Sequence, residues 1–199
     1  MKWFTQKVDK EKTLKSSERV SKKSRVGITI YEMALFSMFG ALMFASKKMM
    51  EFLPNIHLIG MFIVLLTVVY RVKALIPIYI YVFLDGVYGG FNTWWIPYLY
   101  VWAVLWLFSM LIPKKTPVAV AAIVYPVVCS LHGFLFGILY APFQAWMYNF
   151  TFEQTKVWVI AGFPFDITHG ISNFIAGLLI LPLSLALKKL NKSVHTRIG

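Results

Sequence analysis

The sequence predicts an all-α membrane protein with six transmembrane helices and both termini in the cytoplasm. Three observations carry this fold class. Apolar residues make up 59% of the chain and aromatic residues 17%, whereas soluble domains are only about half apolar. The apolar residues gather into runs at 26–46, 56–70, 74–90, 94–112, 118–140 and 163–187, and most of these reach the roughly 17–25 residues that a bilayer crossing needs. Basic residues are sorted between the ends of the runs. With the N-terminus placed inside, seventeen of the 20 Lys and Arg fall on the cytoplasmic side, as the positive-inside rule requires. The exceptions are Lys47, Lys48 and Lys156.

Residues 1–25 are expected to be a basic cytoplasmic tail that touches anionic lipid and orients the first helix. They do not read as a secretory signal, because a long polar stretch precedes the first apolar run and no small-residue cleavage pattern follows. The net charge of +12 therefore reports topology and not a nucleic-acid footprint. Residues 26–190 form the transmembrane domain, and 191–199 a second cytoplasmic tail.

In the first run, Ala34, Ser37, Ala41 and Ala45 fall within about a 90° arc of a helix. Such a small-residue stripe lets another helix approach closely, either inside the protein or from a partner subunit. Glu32 lies near the inner end of this run. The second run is short. The inner connections, 71–73 and 113–117, are tight turns, while the outer ones at 47–55, 91–95 and 141–158 are longer. Recognition is expected on the side with the longer connections.

The third run ends with Asp85, followed by Gly86, Gly89 and Gly90. Asp85 reads equally as a ligand contact and as a polar clamp between helices. Around the fourth run and the loop after the fifth, Trp94, Trp95, Tyr98, Trp146, Tyr148 and Trp158 cluster near the outer boundary. Interfacial belts account for most such residues, but the same rings stack on flat heterocycles. Asn92 and Asn149 add amides beside them. The fifth run carries His132 and the pair Gly133/Gly137, which is expected to pack internally. It also carries Cys129, the single cysteine, so no intrachain disulfide forms.

The sixth run is the most informative. Asp166, His169 and Asn173 share one helical face with Gly170 and Gly177. Polar groups do not face lipid, so this face meets either a neighbouring helix or a polar ligand, and the ligand is the preferred reading. Enzyme chemistry has little support. Ser130 and His132 diverge on a helix. Asp166 and His169 offer two metal ligands, with only His132 as a conceivable third. There is neither a P-loop nor a GxGxxG motif. The chain is expected to be no enzyme and to bind no cofactor directly, so a gradient or a partner must supply energy.

Together the length, the six runs, the internal termini, the elaborate outer loops and the Ala41-x-x-x-Ala45 stripe resemble the substrate-binding S component of energy-coupling factor (ECF) vitamin importers. The resemblance covers residues 26–190. It implies that the stripe docks a transmembrane coupling subunit, and that two partner ATPases use ATP to reorient the chain in a prokaryotic plasma membrane. It also implies a ligand held near the outer surface by the loop after the first helix and by helices four to six. Here that implicates Asn92, Trp94, Trp95, Tyr98, Trp146, Asn149, Asp166, His169 and Asn173. The carboxylates of Asp85 and Asp166 suit a vitamin-like ligand rich in N–H or O–H donors, including a cation. Lys47 and Lys48 at the mouth leave an anion open. The alternatives are a self-sufficient proton-coupled carrier relaying through Asp85, Asp166 and His169, and a metal-dependent membrane enzyme.

Overall fold

A computed structural model describes residues 28–198, with side chains to Val194. The basic tail 1–25 and the Arg197 side chain lie outside the described residues. Every element among the described residues is helical. The chain divides into two units, residues 1–35 and 36–199. In the first, Thr29 and Glu32 form a capping box. The Thr29 hydroxyl accepts from the Glu32 N–H at 3.1 Å, and the Glu32 carboxylate accepts from the Thr29 N–H at 3.1 Å. This reciprocal bonding satisfies two amides that would otherwise be orphaned, and it starts α1 (Ile30–Met49).

The second unit is a helical bundle built around α2 (Ile59–Tyr70). Ten of its twelve residues are buried, as befits a helix apolar on every side. Arg71 takes a positive φ of 57° and breaks the helix. A short 3₁₀ turn (Arg71–Ala74) then leads into α3 (Leu75–Gly89). The reversal is a true hairpin. His57, just before α2, and Tyr81, within α3, both pack on Trp102, at 6.0 and 6.3 Å between ring centroids. A continuous helix would hold them about 36 Å apart.

The hairpin is pinned by Arg71. Its guanidinium donates to the Ile112 carbonyl at 3.0 Å and to that of Met110, at the end of α4 (Tyr98–Met110). Those carbonyls belong to a helix terminus that has no partners of its own. The α1 helix runs parallel to α3. Phe36 meets Tyr70 at 5.1 Å and Phe44 meets Tyr88 at 5.7 Å. A Cβ on Gly40 would clash with Ile80, so only glycine permits this approach.

The chain returns through α5 (Val118–Phe134), a break at Leu135, and α6 (Phe136–Tyr148). It then passes back through α7 (Phe152–Gly177) and α8 (Ile180–Ile198), which are bent by 44° at 178–179. The α5–α7 seam is close. Cβ atoms added to Gly133 and Gly177 would lie 2.8 Å from the Gly170 backbone and 2.6 Å from Pro126. Gly133/Gly137 thus packs internally, as expected.

Two expected features need correction. The long connection at 141–158 is mostly helix, because α6 runs on to Tyr148 and α7 starts at Phe152. Asn149 in the left-handed conformation ends the one, and a Thr151/Gln154 capping box opens the other. The segment after residue 190 is also helical to Ile198.

By length and apolarity, Ile59–Gly89 and Val118–Tyr148 qualify as membrane crossings, with a third if Phe152–Gly177 and Ile180–Val194 count as one bent span. The first of these is the folded hairpin, so its 31 residues form two short arms and not one long rod.

Candidate functional site

At the end of the bundle where α1 meets α2, the connection 50–58 folds over a cavity of about 190 Å³. Met50, Glu51, Leu53, Pro54, Asn55, Ile56 and His57 come from that connection, Lys47 from α1, Tyr98 from α4, Phe136 from α6 and His169 from α7. Four helices and one connection therefore converge here. The loop is tied down at Asn55, which has a φ of 59° and whose carbonyl accepts from the Ser172 hydroxyl at 3.2 Å. Asn tolerates that left-handed geometry better than most residues.

One wall is charged and internally balanced. The Lys47 ammonium sits 2.5 Å from Asp85 Oδ2 and lies over the Tyr98 ring at 4.7 Å, with Tyr81 and Trp94 at 5.8 and 5.9 Å. Lys48 reaches Glu51 at 3.1 Å and the second Asp85 oxygen at 3.8 Å. Asp85 is only 1% exposed, and a carboxylate so buried requires these cations.

The opposite wall is imidazole and aromatic. The His57 and His169 rings meet edge to face at 4.7 Å, and His169 meets Phe136 at 4.9 Å. Behind them Trp102 packs on His57 and on His132, at 6.0 and 5.6 Å. The His132 Nε2–H donates to the Val101 carbonyl at 3.0 Å, which leaves its Nδ1 as an acceptor. His57 Nδ1, His169 Nε2, Trp102 Nε1 and the Tyr81 hydroxyl are buried without a hydrogen-bond partner in the protein. Buried polar atoms are usually satisfied; of these four, those of His57 and His169 belong to residues that line the cavity, where a polar guest can pair with them. His57 lies in the connection before α2, and its pKa is lowered to about 4, chiefly by burial and then by the Lys47 charge. Its ring is neutral at physiological pH.

The polar face of α7 is divided among three tasks. Only His169 reaches the cavity. The Asp166 carboxylate accepts from the Gly137 N–H at 3.1 and 3.2 Å and so caps the first turn of α6, where amide donors are unsatisfied and a negative charge is favoured. Asn173 is wholly buried against Gly60 and donates to the Cys129 carbonyl at 3.4 Å.

The other expected contacts also separate. Tyr98 lines the cavity, and Trp94 lies one layer out, beside Lys47. Neither Asp85 nor Asp166 lines the cavity; Asp85 Oδ2 is held by Lys47, and its Oδ1 is buried without a hydrogen bond, 3.8 Å from Lys48. Trp95 gives its indole N–H to the Val82 carbonyl at 2.7 Å and packs on Phe91. Asn92 is exposed in the turn before α4, where its carbonyl accepts from the Trp95 N–H. Trp146, 73% exposed, and Asn149 lie at the far end of α6, outside the cavity. The site's members that sequence reasoning missed are His57 and Phe136, with Trp102 supporting them. The only signal for His57 was a histidine at the edge of an apolar run.

No protein-family model, curated protein or solved structure matches this chain. Function therefore rests on the geometry.

Two further features bear on it. Among the described residues no group of three or more His, Cys, Asp and Glu is arranged to hold a metal ion. A larger groove of about 530 Å³ between α4 and α5 is walled by Leu111, Val120, Val124, Val128 and Leu135. It is open and almost wholly apolar, which is how a helix pair facing hydrocarbon looks. The smaller, polar cavity is the candidate site.

Proposed function

We propose that this chain is the substrate-binding subunit of an ECF-type importer for a small vitamin-like heterocycle. The observation that supports it is the cavity. It is walled by the connection after the first long helix and by the helices carrying Tyr98, Phe136 and His169, the set of elements that the resemblance implies. On this reading the chain crosses the membrane six times with both termini inside, so the cavity opens to the outside and loop 50–58 covers it. The short helices α2 and α4 are tolerable within a bilayer because non-helical ends are permitted where protein covers them or where they line a cavity.

The docking role rests on α1. Ser37, Ala41 and Ala45 are exposed and Ala34 is too, while Phe36, Phe39, Gly40 and Met43 are buried. Ser37, Ala41 and Ala45 are thus not used for packing within the bundle, and they remain available to a coupling subunit that works with two ATPases.

Co-expression with a coupling module tests the proposal. ATP-dependent uptake by the full complex, and retention of ligand but no uptake by this chain alone, is the expected outcome. Uptake by the lone chain in vesicles, driven by a proton gradient, contradicts it and favours the carrier reading.

A further inference from the structure

We infer that the cavity selects an uncharged, single-ring compound that carries both a hydrogen-bond donor and an acceptor, such as a cyclic or aromatic amide. This rests on the reading of the cavity as a small-molecule site and narrows what that site takes.

Size sets the first limit. The cavity measures about 190 Å³, and a protein cavity of about 150 Å³ holds benzene. One ring with a substituent fills the space; a second fused ring would project beyond it. The ring is gripped by Tyr98 and Phe136, and aromatic rings favour offset or edge contacts with such neighbours.

Charge sets the second. An anion would need Lys47, but Lys47 holds the buried Asp85, whose other cation stands 3.8 Å away. Taking Lys47 from it strands a carboxylate that is 1% exposed, and breaking a buried pair in this way is strongly unfavourable. A cation would need a carboxylate, yet Asp85 does not line the cavity, and Glu51, which does, stands 3.1 Å from Lys48; Lys47 and Lys48 together balance the two acids. The cavity thus carries no uncompensated charge of either sign.

Hydrogen bonding sets the third. Neutral imidazole offers one donor and one acceptor. His57 Nδ1 and His169 Nε2 are unpartnered on rings 4.7 Å apart. Two such groups side by side suit a ligand whose own donor and acceptor are neighbours, as in an amide.

The test uses the full chain in lipid nanodiscs and four probes of graded charge and size: benzamide, benzoate, benzamidine and 2-naphthamide. Binding is read by the shift in thermal midpoint and by tryptophan fluorescence, to which Trp102 contributes. The expected result is that benzamide half-saturates at a concentration at least about tenfold lower than the other three. His57→Ala and His169→Ala should each weaken benzamide about tenfold, the effect of one lost hydrogen bond. His57→Asn and His169→Gln serve if the alanine variants do not fold. A preference for benzoate or benzamidine overturns the inference. So does equal binding of 2-naphthamide, or saturable binding by none of the four. The wild-type comparison decides the matter without any variant.

The two readings fail separately. Benzamide selectivity in a chain that joins no coupling complex removes the importer and keeps the ligand class. A functional importer that prefers a charged probe does the reverse.

Discussion

His57, in the connection before α2, gives the cavity a pH signature. Its proton affinity is depressed to a pKa of about 4 from 6.5 by burial and by Lys47. The groups around it are Lys47 from α1, His169 from α7 and, behind Trp102, His132 from α5. Between those pH values the unfolded chain binds a proton that the folded protein refuses, so stability rises with pH across the window. The contribution is complete above about pH 6.5 and is lost as pH falls towards about 4. A thermal-midpoint titration in nanodiscs should show this slope in wild type and a flatter one in His57→Gln. Asp166→Ala should behave differently from His169→Ala. It leaves the Gly137 N–H buried and unpaired, costing about 1–3 kcal/mol. It should therefore lower the thermal midpoint with little change in ligand affinity. His169→Ala should weaken ligand binding with a smaller change in midpoint. The sequence placed Asp166, His169 and Asn173 on one face correctly, because helical period determines a face. It could not apportion them. Seven residues advance about 10 Å along a helix, far enough to meet the start of α6, the cavity and the α2–α5 contact in turn.

At the scale of elements, helix contacts were more legible than helix ends. Gly133 and Gly137 announced a close seam by their spacing alone, and α7 fills it. Gly133→Leu should prevent folding, since even a Cβ there lies 2.8 Å from the Gly170 backbone; loss of the monodisperse detergent-solubilised protein is the readout. The extension of α7 to Phe152 was written in the sequence as Thr151-x-x-Gln154, a capping box. Hydropathy concealed it, because Glu153, Gln154 and Lys156 interrupt the apolar pattern. The α2–α3 hairpin was legible from Arg71 and Lys73. That Arg71 also bonds the end of α4 depends on a contact 41 residues away, which no local pattern encodes. His57 was missed for a related reason. A lone histidine at the edge of an apolar run has no periodic partner, and its neighbours come from four other elements.

For the molecule as a whole, the all-helical class followed from composition, whereas the direction of each crossing rests on the lysine distribution. Cysteine labelling in a Cys129→Ala background tests that orientation. A probe that cannot cross the membrane should modify Glu153→Cys in intact cells, and Lys114→Cys only after permeabilisation. The exposed face of α1 carries the partner claim. Ala41→Leu or Ala45→Leu should abolish co-purification of the coupling subunit and ATP-dependent uptake. Ligand binding by the isolated chain should persist, because neither residue lines the cavity. The claim that unites these levels is that one small polar guest sits in the cavity against His57 and His169. Native mass spectrometry of the purified protein tests it most directly. The expected result is a single small-molecule adduct on the wild type that is lost in the folded His57→Ala/His169→Ala double variant. An adduct retained at full occupancy by that variant would contradict the claim.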